Sequence, residues 1–411
     1  MQNNTVDYRN RKWKLDELIE YVFENHDNDA VEFLFKYHKC ANINLINRII
    51  ESRNDNYFKI VLKNDDCRYL FEHCLVSIIG SETSVQKKIE NLEYVIQNYP
   101  DIVDNINMVG QNLMHYICVV NDFELFSHFY HLYPELMSIH DHSVTYPIQY
   151  CYDFNEKHIL DKAAEITMYY LNSEIGINPE ILIKLCDHNI PEQVLKKIAD
   201  YLSIDSKNIS CALFNCISRV PEEIVKYFID NGADANYRKD NGVYTVGLVA
   251  RMLKNDSNIF KIFLLLEERG LIVDINVLKE ACMCNNLEIV KYIRERYIID
   301  INERIYDILV GGDLTIIQLI AYWGKFNNLY VYLLKDLDVD INVVDSNGNT
   351  ILHIIYYERK FTQSRREIIS ALLKRGFDPY TKNNKGLYFY DYKCGGGMDD
   401  IKMLEELMLQ S

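Results

Sequence analysis

The stretch from Asp340 to Tyr380 constrains this chain more than any other. It opens on Asp340-Ile341-Asn342, turns at Asn347-Gly348 and runs a short apolar helix pattern from Thr350. A longer pattern follows through Ile368, Ile369, Leu372 and Leu373, until Gly376 stops it and Asp378-Pro379 opens the phrase again. One such pair of helices cannot bury its own apolar face, whereas stacked copies bury one another's. The copies exist. Asp234-Ala235-Asn236, Asp274-Ile275-Asn276, Asp300-Ile301-Asn302, Asp340-Ile341-Asn342 and the altered Asp378-Pro379-Tyr380 follow at spacings of 40, 26, 40 and 38 residues. These straddle a unit of roughly 33 residues. The short interval omits a turn finger, because Val277 starts a helix directly after Asn276. One long interval carries an insertion: Asn342 to Thr350 is eight positions, Asn302 to Thr315 thirteen.

The rest of the chain reads as the same construction with less regular copies. Residues 1–14 form a polar leader. Residues 15–96 hold divergent helical repeats, with apolar helix periods at 15–23, 31–37, 42–63, 65–79 and 83–98. From 97 the repetition is explicit: Asn98-Tyr99-Pro100-Asp101 recurs as Leu132-Tyr133-Pro134-Glu135, and Gly110-Gln111-Asn112-Leu113-Met114-His115 has the layout of Gly348-Asn349-Thr350-Ile351-Leu352-His353. Within the array at 97–385, the segment 161–209 is degenerate. It offers helices at Ile166–Asn172, Pro179–His188 and Pro191–Leu202 without fingers. Residues 386–411 read as a capping half-repeat in which Gly395-Gly396-Gly397 replaces the inter-helix turn and Asp399 or Asp400 caps a final amphipathic helix.

These phrases resemble the ankyrin repeat. Thr350-Ile351-Leu352-His353 matches its T-P-L-H signature, Thr315-Ile316-Ile317-Gln318 follows, and Asn231-Gly232-Ala233-Asp234-Ala235-Asn236 matches its N-G-A-D-x-N ending. The resemblance implies an all-α ankyrin-repeat solenoid of about ten to twelve helix-pair units with short finger turns. It also implies that His115 and His353 bond to neighbouring backbone, that Gln149 and Gln318 do part of that work, and that Gly247 does none. The Asn-, Ile- and Tyr-rich style is similar to the divergent ankyrin-repeat proteins of large DNA viruses, giant viruses and poxviruses.

Charge and composition narrow the function classes. A formal net charge of −16 repels phosphate backbones and anionic lipid, so neither a nucleic acid nor a membrane is the expected partner. The basic clusters Arg9-Asn10-Arg11-Lys12-Trp13-Lys14, Arg365-Arg366 and Lys382-Asn383-Asn384-Lys385 are short and separated, and read as solvated surface. The N-terminal residues have no apolar signal core, and no apolar run reaches the length of a membrane span. Eleven Cys without framework spacing, several inside apolar helix patterns (Cys118, Cys186, Cys216, Cys282), read as reduced and buried in an intracellular, cytoplasmic protein.

No catalytic or metal constellation emerges. Cys282-Met283-Cys284 lacks zinc-ligand spacing, and His140-Asp141-His142 sits in a finger turn with Cys151 and His158 downstream. His115 and Cys118 share a helix face, but in an ankyrin unit both are structural. Gly395-Gly396-Gly397 lacks a following Lys and is followed by Asp399 and Asp400, which repel phosphate. The reading is therefore a non-enzymatic protein-interaction scaffold without cofactor, metal or small-molecule ligand. A partner protein, a host factor if the chain is viral, would bind the groove of finger tips and first helices. The candidate contact residues are Tyr237, Arg238, Lys239 and Asp240; Tyr322 and Trp323; Asp345, Ser346 and Asn347; and Tyr356, Tyr357 and Arg359. Tyr, Trp and Arg are favoured there because they bury large area at low entropic cost. Two alternatives are a ubiquitin-ligase substrate adaptor docking through its N-terminal helices, and an enzyme with a cryptic catalytic module.

Overall fold

Helices begin where an Asx or hydroxyl side chain takes over the orphan N–H groups of a first turn. Asn112 Oδ1 accepts from the N–H of Met114 at 3.0 Å and of His115 at 3.3 Å, starting the helix Leu113–Val120. That helix ends at Asn121, whose left-handed φ of 54° turns the chain, and Asp122 caps Phe123–Leu132 through the N–H of Leu125 at 3.1 Å. Asn285, at φ 58°, and Asn286, which accepts from Ile289 N–H at 3.2 Å, repeat this two-residue joint between Ile275–Met283 and Leu287–Arg296. Asn is among the few residues that tolerate the left-handed region, so the joint is written in the side chains.

The computed structural model describes residues 5–25, 27–37, 43–62, 75–103, 107–153, 156–173, 176–239, 257–307, 310–323, 328–336, 339–357, 365–391 and 397–409. They form two compact units, Met1–Leu202 and Ser203–Ser411. Each is a stack of antiparallel helix pairs whose cores are almost wholly aliphatic and aromatic: Leu18, Val22, Leu113, Phe126, Phe129 and Ile198 in the first, Leu213, Phe228, Phe263, Ile317, Leu333 and Leu372 in the second. The all-α ankyrin-like array that the repeats imply is present in both. Cys118, Cys186, Cys216 and Cys282 are buried, as their helix positions suggest.

In the first unit the leader is structured. Strands β1 (Thr5–Tyr8) and β2 (Arg11–Lys14) pair antiparallel around Arg9 and Asn10, both at positive φ. Tyr8 is buried, its ring 4.9 Å from that of Phe33 and its hydroxyl donating to Asp27 at 3.3 Å. The basic cluster is partly engaged: Arg9 pairs with Asp27 at 3.1 Å, and the Arg11 guanidinium lies 4.1 Å from the Trp13 ring. Helices follow at Leu15–Asn25, Asn28–Tyr37, Ile43–Ser52, Asp55–Leu62 and Val85–Asn98. In the degenerate region a single helix, Lys157–Leu171, starts nine residues before the expected Ile166, and Pro179–Leu185 and Glu192–Leu202 follow.

In the second unit the Asp-x-Asn phrase is an Asx turn. Asp234, Asp300 and Asp340 each accept the N–H two residues on at 2.8–2.9 Å. The Asn then clamps the next copy. Asn236 Nδ2 donates to Gly270 O at 2.9 Å while its Oδ1 accepts from Ile272 N–H at 2.8 Å, and Asn302 Oδ1 accepts from Asp340 N–H at 2.8 Å. Asp274 instead caps a helix at once, Ile275–Met283, so this copy has no finger. The insertion before Thr315 is a β-hairpin, β3 (Ile305–Asp307) with β4 (Gly312–Leu314). Gly311 turns at φ 74°, and Gly312 and Asp313 belong to strand β4. The terminal helix is Gly397–Met408, so Asp399 and Asp400 lie in its first turn instead of capping it.

Candidate protein-interaction surface

A finger here is five residues closed by one side chain. Asp141 Oδ1 accepts from the N–H of Ser143 at 2.8 Å and of Thr145 at 3.0 Å, and Asp141 N–H donates to Thr145 O at 3.0 Å. Asp345 does the same with Asn347 and Asn349, both at 2.8 Å, and Asn383 with Lys385 and Leu387, both at 3.0 Å. Asn107 accepts from Val109 at 3.0 Å and Gln111 at 3.1 Å. The fourth finger residue stands at positive φ: Gly110, Gly348 and Gly386, but Val144 at 61° in the finger of Asp141. Adjacent fingers pair through backbone, His142 N–H to Val109 O at 2.9 Å in the first unit and Asn384 N–H to Asn347 O at 3.0 Å in the second.

Behind the fingers of Asn107, Asp141 and Asp345 a His or Gln ties the helix start to the next copy. Asn112 N–H donates to His115 Nδ1 at 3.0 Å, which puts the ring proton on Nε2, 3.1 Å from Thr145 O. Thr350 N–H donates to His353 Nδ1 at 3.3 Å, and His353 Nε2 lies 3.0 Å from Leu387 O. Burial lowers the pKa of both imidazoles below the ordinary histidine value. Gln149 accepts from Tyr146 N–H at 2.9 Å, and its Nε2 reaches His188 Nε2 at 3.2 Å. Gln318 accepts from Thr315 N–H at 3.1 Å, but its buried Nε2 has no partner among the described residues. Gly247 lies outside the described residues.

The finger bases are also wired to tyrosines. Tyr150 donates to Asp141 Oδ2 at 2.6 Å and accepts from Gln111 Nε2 at 2.7 Å. Burial, then the Asp141 bond, pushes the Tyr150 phenol up to about 12. Burial pushes the Asp141 carboxyl upward, but the bonds from Tyr150, Thr145 N–H and Ser143 N–H outweigh it and hold it below the usual carboxylate value. Tyr322 donates to Asp345 Oδ2 at 2.5 Å, and Asn349 Nδ2 to the same oxygen at 3.0 Å.

The candidate contact residues sort by where the fold puts them. Arg238, Ser346 and Asn347 are exposed; Tyr237, Lys239, Tyr322 and Trp323 are half-buried. Tyr237 lies edge-on to Phe214 at 6.1 Å, and Lys239 Nζ lies 5.3 Å from the same ring. Two are interior. Asp345 is buried because Tyr322, Asn349 and the finger backbone close over its carboxylate. Tyr356 is buried against Phe389, ring centroids 4.7 Å apart. Asp240 and Arg359, and the side chain of Tyr357, lie outside the described residues. Sequence reasoning missed the apolar finger residues of the first unit, Met108, Val109 and Val144, which are exposed. Their alignment with Ser346, Asn347 and Gly348 is the signal that finds them.

The constellations weighed for chemistry are occupied by the scaffold. Asp141 closes its finger and His140 Nδ1 contacts its carbonyl at 2.8 Å; no group of three metal-ligating side chains occurs among the described residues. Cys118 is buried, and burial, then the neighbouring Cys151, pushes its thiol well above the ordinary value. No helix among the described residues is long and apolar enough to cross a membrane.

No family model matches the chain, and no curated protein does. Among solved structures it is similar to the ankyrin repeat domain of Bcl-3, described as a unique member of the IkappaB family, at 13% identity over 58% of this chain and 100% of that one, TM-score 0.40. It is similar to the human ASB11 ankyrin repeat domain at 16% identity over 56% and 97%, TM-score 0.41. The ankyrin repeat protein EF0377 is 20% identical over 48% and 94%, TM-score 0.35. At these values nothing those proteins do is carried over, and the fold assignment rests on the helix pairs, fingers and His or Gln ties described above.

Proposed function

We propose that the chain is a non-enzymatic protein-interaction scaffold whose fingers and first helices present a partner-binding face, and that the partner is a host factor if the viral resemblance of the sequence reflects its source. One observation carries this reading. The regular finger and cap residues are spent on the scaffold, while the side chains that vary from copy to copy, Arg238, Ser346 and Asn347, stand in solvent, with Trp323 half-exposed. Such a division is what a rigid frame with an adaptable face requires, because exposed residues change without touching the core. A protein interface of about 1,200–2,000 Å² is the ordinary size for a stable contact of this kind. The test is affinity purification of the full chain beside a Trp323→Ala, Arg238→Ala, Asn347→Ala triple variant of matched thermal stability. The reading expects specific partners to drop out with the variant. Retention of every partner at wild-type level sinks it.

A further inference from the structure

Among the described residues of the second unit the row of fingers has a gap, and the gap leaves a strand edge open. The Asn347–Asn384 backbone bond shows how neighbouring fingers in this unit satisfy each other. The copy at Ile275–Arg296 has no finger, because Asp274 caps its first helix directly. The next copy carries the β3–β4 hairpin. Arg304 shows which strand faces onward: its Nη1 donates to Asp313 O on β4 and its Nη2 to Val344 O of the following finger, both at 3.0 Å. β4 therefore lies between β3 and the following finger, and β3 is the edge turned toward the fingerless copy.

Among the described residues no neighbouring strand covers that edge. A two-stranded antiparallel pair leaves alternate N–H and C=O groups of each strand pointing outward. Proteins blunt such edges with short strands, charged side chains, Pro or bulges; Ile305-Tyr306-Asp307 is short and ends in Asp307 but has no Lys, Pro or bulge. Among the described residues the outward backbone of Tyr306 makes no bond outside the hairpin. Tyr306 is 62% exposed on this strand. The exposed charges around it, Asp300, Glu303 and Asp313, are acidic, and the exposed Arg304 has its guanidinium committed to two carbonyls.

We propose that β3 takes up an extended, basic segment of a partner protein by strand addition, filling the place of the missing finger. The inference rests on the reading of the chain as an interaction scaffold and names one mode of it. Main-chain bonds supply the pairing, and Arg or Lys at alternate positions answers the carboxylates and stacks on Tyr306.

The test uses the full chain and a labelled decapeptide alternating Arg with Thr or Val. Two further versions carry backbone N-methyl groups on the odd or on the even residues. With Arg on the Tyr306 face and the pairing antiparallel, only one alternate set of amides faces β3, so one methylated version is expected to bind at least tenfold more weakly while the other binds like the parent. Hydrogen exchange is expected to slow at 305–307. Tyr306→Pro is expected to abolish binding, and Glu303→Lys with Asp313→Lys, which leaves the backbone pairing intact, to weaken it about tenfold. Equal binding by both methylated versions means charge attraction alone and overturns the proposal, as does absence of binding or protection elsewhere. Concentration-dependent dimerisation that Tyr306→Pro abolishes assigns the edge to a second copy and also overturns it. A Tyr306→Pro chain that keeps its purified partners, when the peptide tests fail, removes this inference and leaves the scaffold reading standing.

Discussion

His353 Nε2 stands 3.0 Å from Leu387 O, 34 residues along the chain, and the same carbonyl accepts the N–H of Asn383 at 2.9 Å. One oxygen thus joins the start of one first helix to the base of the next finger. His115 and Thr145 O, which also accepts from Asp141 N–H at 3.0 Å, repeat the arrangement in the first unit.

Burial depresses the pKa of both histidines, so the unfolded chain, with ordinary values near 6.5, binds more protons than the folded one once pH falls below that value. Their contribution is complete above about 6.5 and is lost as pH falls toward the folded values. Each His then contributes a slope of at most about 1.4 kcal/mol per pH unit. Urea midpoints at pH 7.5 and 5.5 are expected to differ less in His115→Gln/His353→Gln than in the parent. An unchanged pH response in that variant counts against the assignment.

Gln318 is the copy in which this tie is incomplete. Asn349 O accepts from Asp345 N–H at 3.1 Å, as Thr145 O and Leu387 O accept from their finger bases, but Gln318 Nε2 has no partner among the described residues. Gln318→His is expected to stabilise the chain by about 1 kcal/mol at pH 7.5 by supplying the missing bond. Chemical denaturation of the second unit, followed by hydrogen exchange of the Thr315–Tyr322 amides, measures it.

Val144 occupies a left-handed position that its equivalents give to glycine. A β-branched residue there costs about 1–3 kcal/mol, and Gly returns part of that as unfolded-chain entropy. Val144→Gly is expected to raise stability by about 1 kcal/mol, since the side chain is 47% exposed and buries little. The reverse change, Gly348→Val, drives a side chain into Asn384 and is expected to cost more than about 2 kcal/mol. Thermal melts of the two variants should move in opposite directions.

Asn236 holds both Gly270 O and Ile272 N–H. Asn236→Ala is expected to cost about 1–2 kcal/mol and to speed exchange at Ile272 N–H, whereas Asn236→Asp, which keeps the acceptor, should retain protection there. Equal exchange in all three chains would show that the clamp carries no stability.

Much of the scaffold is legible because its signals are short-range. An Asx turn spans two residues, a finger five and a cap three, so Gly348, Thr350 and His353 announce their roles from neighbouring letters. The leader was not legible: its alternation is only four residues long, and what orders it is Tyr8 meeting Phe33 and Asp27. Nor was the interior position of Asp345, which depends partly on Tyr322, 23 residues earlier.

The sequence by itself determined the repeat, the helix pairs, the fingers, and the copies where a finger is lost or lengthened, since each follows from local hydrogen bonding and helical period. The tertiary structure alone decided which variable residues face solvent, where Gln318 falls short, and which edge of the long hairpin stays open. Those outcomes are set by neighbours some 20–40 residues away, brought into contact by stacking that no local pattern encodes.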